Sequence, residues 1–275
     1  MQADPKDLWT RDPQRHPSFR PPADLDARLW RYLSADRFRW LVEKRRLYMP
    51  RLEQMKHNDD REGTMPEGQV AWWNEAIKTA KDHDAAAIAA ENYKKIAGFV
   101  NMFRAQWFVS CWTQGESENF AFWRIYGRDE SPCSTCGRIT VTAGQSVAIT
   151  TTFRKLEAAL PAHIDLGTVR YSDYTKPANG MANMFDYVMS KRHFYSYEAE
   201  VRAVAPHFTG SVSGVADEHF NANMVDGSYA PQINVHAIID EIILHPESTT
   251  TFFEDMRAFC RAHALPAPRI SGLSA

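Results

Sequence analysis

Short strand-like runs, each parted from the next by helical patterns, constrain this chain more than any other feature. Leu29-Trp30-Arg31-Tyr32-Leu33, Leu47-Tyr48-Met49-Pro50, Trp107 to Trp112, Gln145 to Thr152, Thr168 to Tyr171, Phe194 to Val204 and Ile238 to Leu244 are brief and rich in aromatic or branched side chains. Between them lie helical patterns. Ser34 stands as an N-cap before Ala35 to Lys44, where Phe38, Leu41 and Val42 share one side. Asn119 to Tyr126, Phe153 to Leu160, Met181 to Lys191 and Thr250 to Ala264 also read as helices, and Trp72 to Phe108 reads as two or three. Pro246 stops the last strand. This alternation predicts an α+β fold with a mixed, mostly antiparallel sheet core and a helical insertion at about residues 68–105. Pro5, Pro13, Pro17, Pro21 and Pro22 predict an irregular arm over 1–27, leaving 28–275 as a single domain.

With 275 residues, 44% of them hydrophobic, the chain is long enough to bury a full core. Its net charge of -2 provides no global field for nucleic acid or an anionic membrane, though it leaves room for a local basic groove. No run of about 18 apolar residues occurs, and the start of the chain has no apolar signal core, so the expectation is a cytoplasmic protein with no membrane partner. The four cysteines, Cys111, Cys133, Cys136 and Cys260, are too few for a disulfide framework. Cys133-Ser-Thr-Cys136 is half of a zinc motif without a second pair nearby. It reads first as a surface loop with two thiols and next as a metal or redox pair, and no metal is expected.

Phe194 to Val204 is the run that carries chemistry. If it is one strand, Glu198, Glu200 and Arg202 share a face and Ala199, Val201 and Ala203 share the other. Two acids beside a cation form either a working site or a solvated strand face. Asn58, Asp59 and Glu62 sit in a polar turn with no calcium-loop spacing and read as turn caps.

Leu29 to Leu33, Asn58-Asp59 with Glu62, Ser110-Cys111-Trp112-Thr113, Trp123 to Gly127, Gly167 to Tyr171, Glu198 to Arg202 and Asp240 to Pro246 form an ordered series. In that order, across about residues 28–272, the chain resembles a bacterial family known as domain of unknown function 2971. It departs from the family pattern in the Cys133 to Cys136 insertion and in His245, where a glycine is frequent. The resemblance implies a bacterial or phage-defence setting and a regulatory partner such as an antitoxin, but no reaction.

The chain more weakly resembles ADP-ribosyltransferases, which set an Arg or His on an entry strand, a Ser- or Tyr-bearing middle segment and a late Glu around NAD. Arg31, Ser110 to Thr113 with Tyr126, and Glu200 follow that order. The implied activity is transfer of ADP-ribose from NAD, as substrate, to a macromolecule, with nucleic acid one candidate acceptor. A carboxylate against the ribose stabilises the positive charge that develops as nicotinamide leaves, so Glu200 takes that role and Glu198 orients or deprotonates the acceptor. Arg31, beside Tyr32, suits the NAD pyrophosphate or ribose, and Trp112, Trp123 and Tyr126 suit stacking on nicotinamide or a base. Ser110 belongs to the same cofactor-binding set, although as a nucleophile it lacks a Gly-x-Ser-x-Gly elbow.

Two other readings stay open. Asp59, Glu62, Glu198 and Glu200 can be set around Mg2+ as in a metal-dependent nuclease. Alternatively Arg31, Glu198, Glu200 and Arg202 form a structural ion network in a non-catalytic ligand-binding or regulatory module. No dinucleotide-binding Gly-x-Gly-x-x-Gly or Walker loop is present.

Overall fold

A computed structural model describes residues 16–57, 59–126, 129–132, 139–142, 144–176, 183–207, 218 and 220–273. The expectations at Cys133 and Cys136, and those at Asn58, Gly127 and Met181, fall outside these residues. So does the arm before residue 16.

In chain order the elements are β1 (Arg28–Ser34), α1 (Ala35–Lys44), α2 (Glu67–Lys78), α3 (His83–Arg104), β2 (Trp107–Gln114), α4 (Phe120–Tyr126), β3 (Asp129–Pro132) and β4 (Ile139–Thr142). They continue with β5 (Ser146–Thr152), α5 (Phe153–Ala159), β6 (Asp165–Thr168), β7 (Arg170–Ser172), α6 (Met184–Val188), β8 (Ser190–Arg192) and β9 (Glu200–Pro206). Last come β10 (Met224–Val225), β11 (Ser228–Tyr229), α7 (Val235–Ile238), β12 (Glu241–Leu244), α8 (Thr250–Ala262) and β13 (Arg269–Ile270). The fold is α+β, built on a mostly antiparallel seven-stranded sheet in the order β13-β12-β5-β1-β2-β9-β6.

The chain forms two compact units. One comprises Pro21–Tyr48, Cys111–Pro161 and Pro231–Ala275. Here Ser34 caps α1 through its hydroxyl, which accepts from the Arg37 amide, while Phe38, Leu41 and Val42 are buried. Register places Tyr32 opposite Ala148 and Ala148 opposite Ile243, one row across three strands. Alanine at the middle of that row leaves space over the sheet. Trp30, Tyr32, Phe122 and Trp123 pack with Ala148 and Ile243, and α4 closes over β1.

The other unit comprises Met1–Arg20, Met49–Ser110 and Ala162–Ala230. The helical stretch resolves into two helices, α2 and α3, which pack together and onto Met65, Met184 and Tyr187 through Val70, Trp73, Tyr93, Ile96, Ala97 and Val100. β6 pairs with β9, Gly167 lying opposite Arg202.

Several expected elements differ. Leu47 to Pro50 is no strand; Met49 makes only an isolated bridge to Tyr229. Thr168 to Tyr171 divides into the end of β6 and the start of β7, which pair with different partners, β9 and β8. The helix expected up to Lys191 ends at Val188, and Lys191 lies in β8. Ile238 ends α7, so β12 begins only at Glu241.

The largest correction is at Phe194 to Val204. His193–Glu198 is a 3-10 helix, Ala199 is left-handed at φ 40°, and β9 starts at Glu200. Glu198 and Glu200 are therefore not neighbours along one strand. The cause is the pairing of Glu198 with Lys191, seven residues earlier. An extended segment of that length would hold them about 23 Å apart at ~3.3 Å per residue, so the chain must turn back to close the pair.

Candidate functional site

The site is a buried group of charges within the second unit. Arg202 lies on β9 two residues after Glu200, so the alternation of a strand puts both on one face, and Arg202 Nε donates to Glu200 Oε1 at 2.7 Å. The same guanidinium donates to the Val188 carbonyl at 2.6 Å and to the Glu62 carboxylate. Lys191 comes from β8, and its Nζ stands 2.6 Å from Glu198, 3.5 Å from Glu200 and 3.9 Å from Glu62. All five side chains are buried, the most open of them 6% exposed, so this is no solvated strand face.

Glu62 is delivered by a turn. Asp59 accepts from the Arg61 amide at 2.9 Å and its carbonyl accepts from the Glu62 amide, while Gly63 takes φ +68°. A Cβ on Gly63 would stand 2.4 Å from Leu52 Cδ2, so the turn bearing Glu62 needs glycine for both conformation and space. Asp59 also receives Arg192, the residue after Lys191. Turn capping and ion pairing are thus both present at Asp59.

Burial sets the electrostatics. It pushes the Glu198 carboxyl above its ordinary value, and the nearby Glu200 and Glu62 add to this against the attraction of Lys191. Lys191 loses hydration as well, but Glu200, Glu62 and Glu198 outweigh that loss and hold its ammonium above the ordinary range. Tyr171 accepts from the Glu200 amide at 2.8 Å, and its phenol is raised by burial and by the Glu200 charge. Among the described residues, Glu62 Oε2, Asp59 Oδ2 and the Tyr174 hydroxyl are buried without a hydrogen-bond partner. Burial, then Asp59 and Glu62, raise the Tyr174 phenol.

A 3-10 helix bearing aromatics adjoins these charges. The Tyr195 ring lies 4.9 Å from Lys191 Nζ and 5.6 Å from the Arg192 guanidinium, and Phe194 lies 4.9 Å from the latter. Phe194 and Tyr197 are exposed.

Of the residues singled out from the sequence, Asp59, Glu62, Ser110, Glu198, Glu200 and Arg202 belong to this unit. Ser110 is buried on β2. Arg31, Tyr32, Trp112, Trp123 and Tyr126 belong to the other unit, where the sheet divides them. Arg31 lies over the Trp112 ring at 5.5 Å and donates to the Tyr48 carbonyl at 3.1 Å. Tyr32, next along the strand, faces the opposite way. Its ring meets Trp123 edge-on at 4.9 Å, Tyr126 packs against the same cluster, and its hydroxyl accepts from the Asn119 amide at 2.9 Å. Burial pushes the Tyr32 phenol up to about 12.

Sequence reasoning did not single out Lys191, Arg192, Tyr171 or Tyr174. The one available signal was the adjacent cations Lys191-Arg192, set in a chain whose Asp59, Glu62, Glu198 and Glu200 had already drawn attention. Among the described residues, no group of three or more His, Cys, Asp or Glu side chains is placed to hold a metal ion, and Lys191, Arg192 and Arg202 engage those four acids instead. No helix among them is long and apolar enough to cross a membrane. No model of a known protein family, no curated protein and no solved structure matches the chain.

Proposed function

We propose that the chain transfers ADP-ribose from NAD to a macromolecule, with Glu200 and Glu198 as the working carboxyls. The observation that carries this reading is Lys191, whose single ammonium is within ion-pair distance of both carboxylates, 2.6 Å from Glu198 and 3.5 Å from Glu200. Glycosyl transfer uses two acidic groups close together in different electrostatic settings. Here Glu200 is paired with Arg202, whereas burial favours the protonated form of Glu198. Glu200 would stabilise positive charge on the ribose as nicotinamide departs, and Glu198 would exchange a proton with the acceptor. The open hydrogen-bonding capacity of Glu62, Asp59 and Tyr174 suits a polyhydroxylated ligand. For a ribose to reach these buried groups, the 3-10 helix His193–Glu198 must move aside. The resemblance of the ordered segments to domain of unknown function 2971 is what supports a bacterial or phage-defence setting for this activity, under a regulatory partner such as an antitoxin.

Incubating the purified protein with NAD labelled in the adenylate moiety, together with RNA, DNA and cellular protein, tests this reading. Label should enter one class of acceptor with release of nicotinamide, and Glu200→Gln should lose at least about 100-fold in rate, the scale expected for a group acting on a developing charge. Absence of both label transfer and nicotinamide release in the parent protein sinks the proposal.

A second reading is favoured by a different observation. Arg31 and Tyr126 lie on opposite faces of β1 and Glu200 is buried in ion pairs, an arrangement that suits a non-catalytic binding module braced by a charge network. In that case Glu200→Gln changes unfolding but no chemistry.

A further inference from the structure

The α2 and α3 hairpin carries apolar side chains on more than its inward side. Only Gly68 of α2 and Val100 of α3 are fully buried, although both helices bear aromatic and branched residues along their length. Tyr93, Ile96, Ala97 and Val100 account for the inward face of α3. Ile88, Phe99 and Met102 form another stripe and are 63%, 51% and 43% exposed. With Lys95 they follow spacings of seven, four and three, a straight seam on one side of a helix. A helix apolar on both sides is ordinarily covered on both.

The seam is self-complementary. Ile88 lies near one end, Phe99 and Met102 near the other, and Glu91 and Lys95 between them, paired with each other at 3.6 Å. Turning a second α3 end for end about a two-fold axis near residues 93–94 sets Ile88 against Phe99 of the other helix. The same turn sets Glu91 against Lys95, twice over. Gly98 sits in this exposed stretch, and nothing lies within 4 Å of where its Cβ would be. A mid-helix glycine costs about 1 kcal/mol relative to alanine, and a closely approaching helix gives the vacancy a use.

We infer that a second copy of this chain docks here, through antiparallel α3–α3 pairing with two-fold symmetry. The inference does not depend on the proposed reaction. Its charges are arranged as in helix pairs whose flanking acid and base select the partner. One helix pair is a small interface, so association is expected in the micromolar range.

Sedimentation equilibrium of the full chain supplies the test. The parent should move from 31.4 kDa towards twice that mass as concentration rises to about 100 μM. Phe99→Glu should remain monomeric. Glu91→Lys and Lys95→Glu should each weaken self-association at least about tenfold, because each homodimer then opposes like charges. Mixed together, these two variants should recover the dimer, since the mixed pair restores both contacts between chains while each helix still lacks its internal ion pair. Thermal unfolding of each variant checks that it is folded. A parent that stays monomeric at about 100 μM overturns the inference, as does undiminished association of Phe99→Glu, or a mixture that associates no better than its components. A partner of another kind on this face would appear as the first of these outcomes.

Discussion

Arg202 donates through Nε to Glu200, two residues before it on the same strand, and through a terminal nitrogen to Glu62, 140 residues away. One planar side chain thus joins a strand face to a distant turn, and its fork geometry suits both carboxylates. Replacing Arg202 by Met would leave Glu62 without its closest cation and would remove the Arg202 bond from Glu200. The expected loss is about 3–5 kcal/mol, the scale for breaking a buried ion pair from one side. Arg202→Lys, which keeps charge but not the fork, should lose less. Urea midpoints decide it, and equal midpoints for Arg202→Met and the parent would show that the network holds nothing together.

Gly63→Ala should destabilise by about 1–3 kcal/mol, combining a left-handed backbone with overlap at Leu52. Gly98→Ala, on an exposed helix with open space around it, should stabilise the monomer by up to about 1 kcal/mol. Thermal melts of the two variants at low protein concentration should move in opposite directions.

His245 is buried, and Nδ1 accepts from the Glu247 amide at 3.0 Å. Burial lowers its pKa below the ordinary 6.5, since the charged ring loses solvent, and the Arg124 charge adds to this against the attraction of Glu247. The unfolded chain therefore takes up the proton first. Stability from this group is complete above pH 6.5 and falls as the pH drops through the lower folded value. His245→Gln should flatten the stability curve just below pH 6.5; parallel curves for variant and parent would contradict the assignment.

Glu198 has the opposite sign. Its carboxyl is raised above the ordinary 4.5, so the folded state holds the proton more tightly than the unfolded chain. The ionised form burdens the fold above the raised value, and that burden is relieved as the pH falls towards 4.5. In Glu198→Gln the relief should be absent. Chemical denaturation from pH 7 to pH 4.5 would reveal it as a change in slope between the two proteins.

What could be read from the chain depended on range. β1, α1 and the Ser34 cap follow from neighbours within a few positions, where alternation and capping act, and they form close to where the pattern puts them. The segment after Lys191 did not, because aromatic strand propensity at Phe194, Tyr195 and Tyr197 gave way to an ion pair closing back onto Lys191. Adjacency alone already separated two of the singled-out residues: Arg31 and Tyr32 are consecutive on a strand and must face opposite sides. The partnership of Glu62 with Arg202 had no local signature, since only the completed fold brings residues so distant in sequence together.

β6 is the last strand of its sheet, and the backbone just before Pro21 runs against it. The Thr168 amide donates to the Arg20 carbonyl at 2.7 Å, and a Cβ on Gly167 would meet the Phe19 backbone at 2.7 Å. A terminal strand is where a sheet can recruit a foreign strand and grow. Residues 19 and 20 act as a stopper on that growth. Shortening the chain past them would turn a finished border into a template for fibrous self-assembly.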